Sequence, residues 1–140
     1  MLLDEIANYL ASTGIGTVGV SIFKSMIPTE AQNQCIVITE YGGLPTTKVA
    51  NYAVGAAPLE WPRFQVMVRS NPLTTTGYYS TARVLINSCY RALDGLATSL
   101  SSVRYVYVEA LSPPFAIGLD DNERQMFVVN FQAAKEITST

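Results

Sequence analysis

Two segments limit the fold more than any other part of this chain. Cys35-Ile36-Val37-Ile38-Thr39-Glu40-Tyr41 is a dense β-branched run. Arg63-Phe64-Gln65-Val66-Met67-Val68-Arg69 alternates, with Phe64, Val66 and Val68 on one side and Arg63, Gln65 and Arg69 on the other. A period of two belongs to a strand, because successive side chains point to opposite faces of a sheet. β-branched side chains suit that pleated surface. The first run reads as a well-buried strand stopped by Gly42-Gly43, and the second as a strand broken by Asn71-Pro72.

Further strands follow the same logic. Val103–Ala110 alternates aromatic and β-branched residues, and residues 125–133 place Phe127, Val129 and Phe131 on one face. Phe115–Leu119 resumes an extended segment after Pro113-Pro114, and Asp120-Asp121-Asn122-Glu123 makes a polar turn before the last strand. Val18, Val20 and Ile22 alternate with smaller residues and predict a first strand ended by Pro28.

Helical spacing appears twice. Leu3, Ile6, Ala7 and Leu10 fall at i, i+3, i+4 and i+7, which predicts a short helix ending near Thr13 with Gly14 as its stop. Tyr78, Ala82, Leu85, Cys89 and Leu93 form a second stripe, with Ile86 and Tyr90 beside it and Gly95 just past the end. Thr74 or Thr75 is the expected cap, accepting a hydrogen bond from an unpaired backbone N–H. The order of helix, strands, helix, strands predicts an α+β fold. Its sheet is mostly antiparallel, and the N-terminal and central helices pack on one face. At 140 residues this is a single domain, large enough to bury one core without disulfides or metals.

Residues 42–62 are the least regular stretch, with Pro45, Pro58, Pro62, Gly55 and many small side chains. Long irregular segments in compact domains are usually functional or disordered. Thr47, Val49 and Asn51 alternate with Lys48, Ala50 and Tyr52, so a strand or an extended arm fits here.

Conventional chemistry finds little support. The chain has no histidine, which removes the commonest general base, the Ser–His and Cys–His pairs and histidine metal sites. Cys35 and Cys89 are far apart, form no CxxC motif and read as small buried hydrophobes. Gly14-Ile15-Gly16-Thr17-Val18-Gly19 matches GxGxxG, with Glu40 about where a ribose-binding acid belongs. The context is wrong, because the motif must follow a strand and open a helix whose N-terminus holds the pyrophosphate. Here it follows a helix. Asp120, Asp121 and Glu123 lack the glycine and distal glutamate of a calcium loop; they read as a hairpin turn that Arg124 pairs with locally. No catalytic residue, cofactor or metal is expected.

Charge argues for hidden surface. Charged residues make up 14% of the chain, against roughly 25% in an average soluble domain. Interface cores are depleted in charge, so part of this surface is expected to lie against partners; a surface of Ser, Thr, Asn and Gln is the alternative. The net charge of −2 and scattered Lys24, Arg63, Arg69, Arg83, Arg91 and Arg104 announce no nucleic-acid face, with Arg104-Tyr105-Val106-Tyr107 the only local hint. The uncharged run at residues 6–23 contains Asn8, Ser12, Thr13 and three glycines and follows two acids, so neither a membrane span nor a signal peptide is expected.

Taken together, several motifs resemble one family. Ile36-Val37-Ile38-Thr39-Glu40-Tyr41-Gly42-Gly43-Leu44-Pro45 is similar to the strand and EYGGxP segment of bacteriophage minor-capsid and tail-terminator (tail-completion) proteins. Pro62-Arg63-Phe64-Gln65-Val66-Met67-Val68-Arg69 resembles their PRxQVxVR strand. The Tyr79 to Ala82 spacing, Leu93-Asp94-Gly95-Leu96, Ser112-Pro113-Pro114, Gly118 through Arg124 and Asn130-Phe131 follow in order. The resemblance covers nearly the whole chain and is weakest before Cys35.

It implies a structural virion protein, made in the host cytoplasm and carried at the head–tail junction. Such a subunit closes into a ring, usually a hexamer, that caps the tail tube, docks to the head connector and neck proteins, and lets DNA pass through its lumen. A different neck, tail-tube or head-completion subunit is the nearest alternative, and a small ligand-binding domain a more distant one. A ring needs a heterologous interface, in which one patch meets a different patch on the next subunit. The candidate interface residues are Tyr41, Gly42, Gly43, Pro45, Val49, Tyr52, Leu59, Trp61, Pro113, Pro114 and Arg124, with Tyr52, Leu59 and Trp61 as anchors.

Overall fold

The computed structural model describes residues 1–47 and 59–136, with the side chains of residues 45–47 left aside. The elements run α1 (Leu2–Ser12), β1 (Ile22–Lys24), β2 (Cys35–Thr47), β3 (Leu59–Pro72), α2 (Tyr78–Leu93), β4 (Ser99–Leu100), β5 (Val103–Ala110), β6 (Phe115–Leu119) and β7 (Arg124–Glu136). The sheet order is β1-β2-β3-β7-β5-β4, with β6 also on β7. Among the described residues the named strands all pair antiparallel except β1 with β2. The α+β expectation, with two helices on a mostly antiparallel sheet, therefore holds.

One apolar cluster explains why both helices sit on the same face. Leu3, Ile6, Ala7 and Leu10 from α1 and Ala82, Ile86, Cys89 and Leu93 from α2 join the inward sides of the central strands. Those sides supply Ile36 and Ile38, Phe64, Val66 and Val68, and Phe127, Val129, Phe131 and Ala133. Phe64 and Phe131 are cross-strand partners whose rings stack 5.1 Å apart, the geometry that stabilises a sheet through side-chain pairs.

Strand β7 is the spine. One of its edges pairs with β3 from Pro72↔Arg124 to Leu59↔Glu136. The other is shared: β6 takes Gln125 to Val128, and β5 takes Phe131 to Lys135.

Several local expectations change. Gly42-Gly43 does not stop β2. The strand continues to Thr47 through register shifts between Tyr41 and Gly43 and between Leu44 and Thr47. Gly43 has φ +129, and a Cβ there would sit 2.6 Å from the Trp61 carbonyl oxygen. The glycines thus open a bulge that bends the strand, and Pro62 is tolerated opposite that bulge. The outer parts of the irregular 42–62 stretch, up to Thr47 and from Leu59, are hairpin strands.

Val18 and Val20 are not strand residues. Only Ile22–Lys24 extends beside β2, because Gly19 at φ +86 turns the chain and leaves Val20 57% exposed. Neither Thr74 nor Thr75 caps α2. Gly77, in the left-handed region, is the N-cap with no side-chain bond, since the preceding residues are spent on a turn in which the Thr75 N–H bonds to the Pro72 carbonyl. β7 also outruns its expected span, reaching Glu136. β4 was not foreseen; Ser101 and Ser102, both at positive φ, close its two-residue hairpin with β5 without the usual Asn-Gly signal.

Candidate functional site

The face of the sheet turned away from the helices carries the surface chemistry. Cross-strand register orders it into rows. Cys35, Arg69 and Met126 share one row, and Val37, Met67, Val128 and Phe115 the next. Then come Thr39, Gln65 and Asn130, followed by Tyr41, Arg63, Gln132 and Glu109. The middle rows are tied by polar bonds: Gln65 Nε2 donates to Asn130 Oδ1 at 3.1 Å, and Arg63 Nε to Gln132 Oε1 at 3.0 Å.

The first row lies under a loop. Ile27 and Ala31 pack on Phe23, Cys35 and Val37. Arg69, 8% exposed, anchors that loop through Nε to the Asn33 carbonyl (2.8 Å) and Nη2 to the Gln32 carbonyl (2.9 Å). A buried guanidinium is acceptable because its donors are used.

The described candidate interface residues divide into three groups. Tyr41, Gly42, Gly43, Pro45, Leu59 and Trp61 lie together toward the tip of the β2–β3 hairpin. Tyr41 is 38% exposed, and burial raises its phenol above the usual value despite nearby Arg63. Trp61 is half-buried, its ring tilted against Tyr107 at 6.0 Å. Val49 and Tyr52 lie outside the described residues.

Pro113 and Pro114 lie beside the middle of β7, between the pairs Ala110↔Phe131 and Phe115↔Val128, and Arg124 lies at the far end of the sheet, since it pairs with Pro72 while Leu59 pairs with Glu136. Those two positions are about 40 Å apart at roughly 3.3 Å per residue. Pro113 is exposed, and Pro114 is buried with its carbonyl accepting from Arg83 Nη1 at 3.1 Å. Arg124 pairs locally with the turn, as expected: Nε reaches Asp120 Oδ2 at 2.8 Å, and Nη1 reaches Asn33 Oδ1 at 3.1 Å. Asp120 Oδ1 also accepts the Asn122 and Arg124 backbone N–H groups at 2.9 Å each. Burial works against that carboxylate's charge, yet these bonds hold its pKa below the ordinary value. The turn uses its acids internally, and no group of three or more metal-ligating side chains occurs among the described residues.

Sequence reading missed a buried charged cluster. Glu5 Oε1 accepts from Tyr105 OH at 2.6 Å and from Lys135 Nζ at 2.8 Å. Lys135 also lies 3.5 Å from Glu60 and 5.3 Å from the centre of the Tyr105 ring. Burial opposes ionisation of Glu5, but the hydrogen bonds from Lys135 and Tyr105 outweigh it and lower its pKa. Burial, then the Glu5 carboxylate, push the Tyr105 phenol far upward. The signal was present: Lys135 continues the inward stripe of Phe127, Val129, Phe131 and Ala133, and Glu5 directly precedes the buried Ile6. This cluster binds α1 to β5 and β7, and its groups satisfy one another.

Also missed was the exposure of β6. Phe115, Ile117 and Leu119 are 42%, 48% and 48% exposed, although the alternation of neighbouring strands gave no warning.

Two shallow surface depressions among the described residues measure about 240 and 290 Å³, at the small end of the roughly 300–1,000 Å³ usual for small-molecule sites. Cys89 is fully buried and its thiol is pushed up to about 12 by burial, so it is no nucleophile at neutral pH. No helix among the described residues is long and apolar enough to cross a membrane.

One chain from the virion of a native gene transfer agent particle superposes with a TM-score of 0.65 at 16% identity, covering 97% of this chain and 95% of that one. A second solved chain, bearing no functional name, superposes at 0.56 and 10% identity over 99% and 93%. These likenesses speak to the fold. No curated protein matches. The family model described as bacteriophage tail terminator protein matches residues 9–137. That match spans nearly every element above, and the chain belongs to the bacteriophage tail terminator family, structural proteins of the virion.

Proposed function

We propose that this chain closes into a ring, a hexamer by family resemblance, that caps the completed tail tube and docks it to the head connector. The observation that carries this reading is the family match over residues 9–137. The geometry is compatible with it, because the candidate interface residues fall on separate parts of one sheet, namely the β2–β3 hairpin, the β5–β6 connection and the Arg124 end of β7. A ring uses two different patches per subunit. The hairpin tip and the segment between Thr47 and Leu59 reach a neighbouring subunit or the tail tube. DNA crosses the lumen without being gripped, in keeping with a net charge of −2.

Electron microscopy of the purified chain, alone and added to tails that lack their terminator, tests this. Rings with a central hole and capped tails of uniform length are the expected result. Monomers that neither cap tails nor restore joining to heads overturn it. Deleting residues 49–57 tests the arm separately: an unchanged ring that still caps tails removes the arm from the account. DNA retention should be weak and fall steeply with salt; tight binding at physiological salt contradicts a passive conduit.

A further inference from the structure

The sheet has two unpaired edges on opposite sides, and the exposed apolar residues collect on both. β6 pairs with β7 only, and no other strand covers its outer edge among the described residues. On the opposite side, β1 covers only Ile36, Val37 and Ile38 of β2, so the outer edge from Thr39 to Leu44 meets no strand among the described residues. Six of the eleven exposed large hydrophobics lie at these edges: Leu111, Phe115, Ile117 and Leu119 on and beside β6, and Tyr41 and Leu44 on β2. That concentration decides against scattered surface apolars, which need no explanation.

An open edge presents a row of unpaired N–H and C=O groups. Proteins usually blunt such edges with charge, proline or short length. β6 carries no charge and no proline along its five residues. The free part of β2 is six residues long and ends where Pro45 withdraws an N–H. The two free edges are close in length and each exposes large apolar side chains, the β2 edge also carrying Glu40 and the Gly42-Gly43 bulge. They are separated within one chain by β3 and β7 and face in opposite directions, so they cannot pair with each other in one molecule. A contact between unlike edges is heterologous, and it passes from each copy to the next.

We propose that β6 of one copy pairs along the Thr39–Leu44 edge of a second copy, so that the sheet runs on from subunit to subunit. This rests on the ring reading above. Backbone bonds supply the attraction, and the side chains of Phe115, Ile117 and Leu119 meet the region of Tyr41 and Leu44. The inference names which two surfaces make the ring contact.

The test uses two single variants of the full chain, Ile117→Lys on β6 and Leu44→Lys on β2, measured by sedimentation velocity. Both side chains are about half exposed, so each variant should keep the unaltered circular dichroism spectrum and thermal midpoint. Each alone should be monomeric where the unaltered chain forms rings, with association weakened by about tenfold or more. Mixed together they should form a one-to-one dimer, because each retains the edge the other has lost, and that dimer should not grow. A variant that still forms rings, or a mixture that stays monomeric, overturns the edge pairing while leaving the ring reading intact. An unaltered chain that forms no ring in solution or on tails overturns both. Should Ile117→Lys unfold, Leu119→Lys probes the same edge.

Discussion

The buried cluster around Glu5 makes the sharpest prediction. Glu5 and Lys135 are 4% and 5% exposed and 2.8 Å apart. Removing one partner from such a pair leaves a desolvated charge and costs about 3–5 kcal/mol. The two ends differ. Without Lys135, Glu5 keeps the Tyr105 hydroxyl and the Met1 ammonium, 2.9 Å from its Oε2. Without the Glu5 charge, Lys135 keeps Glu60, at 3.5 Å and 39% exposed, and the face of the Tyr105 ring. Glu5→Gln should therefore cost about 3 kcal/mol and Lys135→Met less. The double variant should lose well under the sum, because the glutamine amide oxygen still accepts from Tyr105 and no buried charge is left. A coupling of about 2 kcal/mol is expected. Urea denaturation of the four proteins measures it. The pH dependence gives a second reading. The folded-state pKa of Glu5 lies below its ordinary value of 4.5, so its contribution is full above that value and is lost as pH falls through the folded value. Glu5→Gln should flatten the acid limb of the stability curve. Additive single costs, or an unchanged acid limb, would refute the reasoning.

Three further outcomes follow from local geometry. Gly43→Ala should destabilise the hairpin by roughly 1–3 kcal/mol, since φ +129 and a Cβ 2.6 Å from the Trp61 carbonyl both oppose it, whereas Gly42→Asn, in open space at φ +42, should cost under about 1 kcal/mol; thermal unfolding distinguishes them. Asp120→Ala should lower stability by about 1–2 kcal/mol at neutral pH, because three donors lose their acceptor, and a chemical-denaturation midpoint equal to that of the unaltered chain would contradict this. Cys89 should resist a thiol reagent at pH 8 until the protein unfolds, given its full burial and a pKa pushed up to about 12; labelling in the native state at the rate of a free thiol would show that α2 opens readily.

Strands with unbroken alternation were legible because burial on one face imposes a period of two. Phe64, Val66 and Val68 fall where that rule puts them, and β5 and β6 have the expected limits. Helix α1 was legible for the equivalent reason at period 3.6. The failures share a cause: local signals do not say what lies across the sheet. Gly42 and Gly43 look like a terminator along the chain, but β3 lies alongside and turns them into a bulge. Lys135 looks like an ordinary surface lysine until α1 brings Glu5 against it. Phe115 to Leu119 read as a strand, yet nothing in five uncharged residues says which neighbour is absent. Among the interface candidates, sequence located the hairpin group by composition, while the spatial separation of Pro113, Pro114 and Arg124 from it emerges only from the register of β7.

That β7 touches three strands has a consequence for how the molecule is made. The residues of β3 leave the ribosome some sixty positions ahead of those that will lie beside them, as Val66↔Val129 illustrates. Until β7 is synthesised, β3 has only β2 for a neighbour, and neither β5 nor β6 has its place in the main sheet. Closing such distant pairs is slow, and the nascent chain must hold its apolar strands without their final partner. The same dependence is protective. A β6 edge shaped to meet another subunit does not exist before β7 has docked, so a half-made chain cannot offer that edge to finished ones.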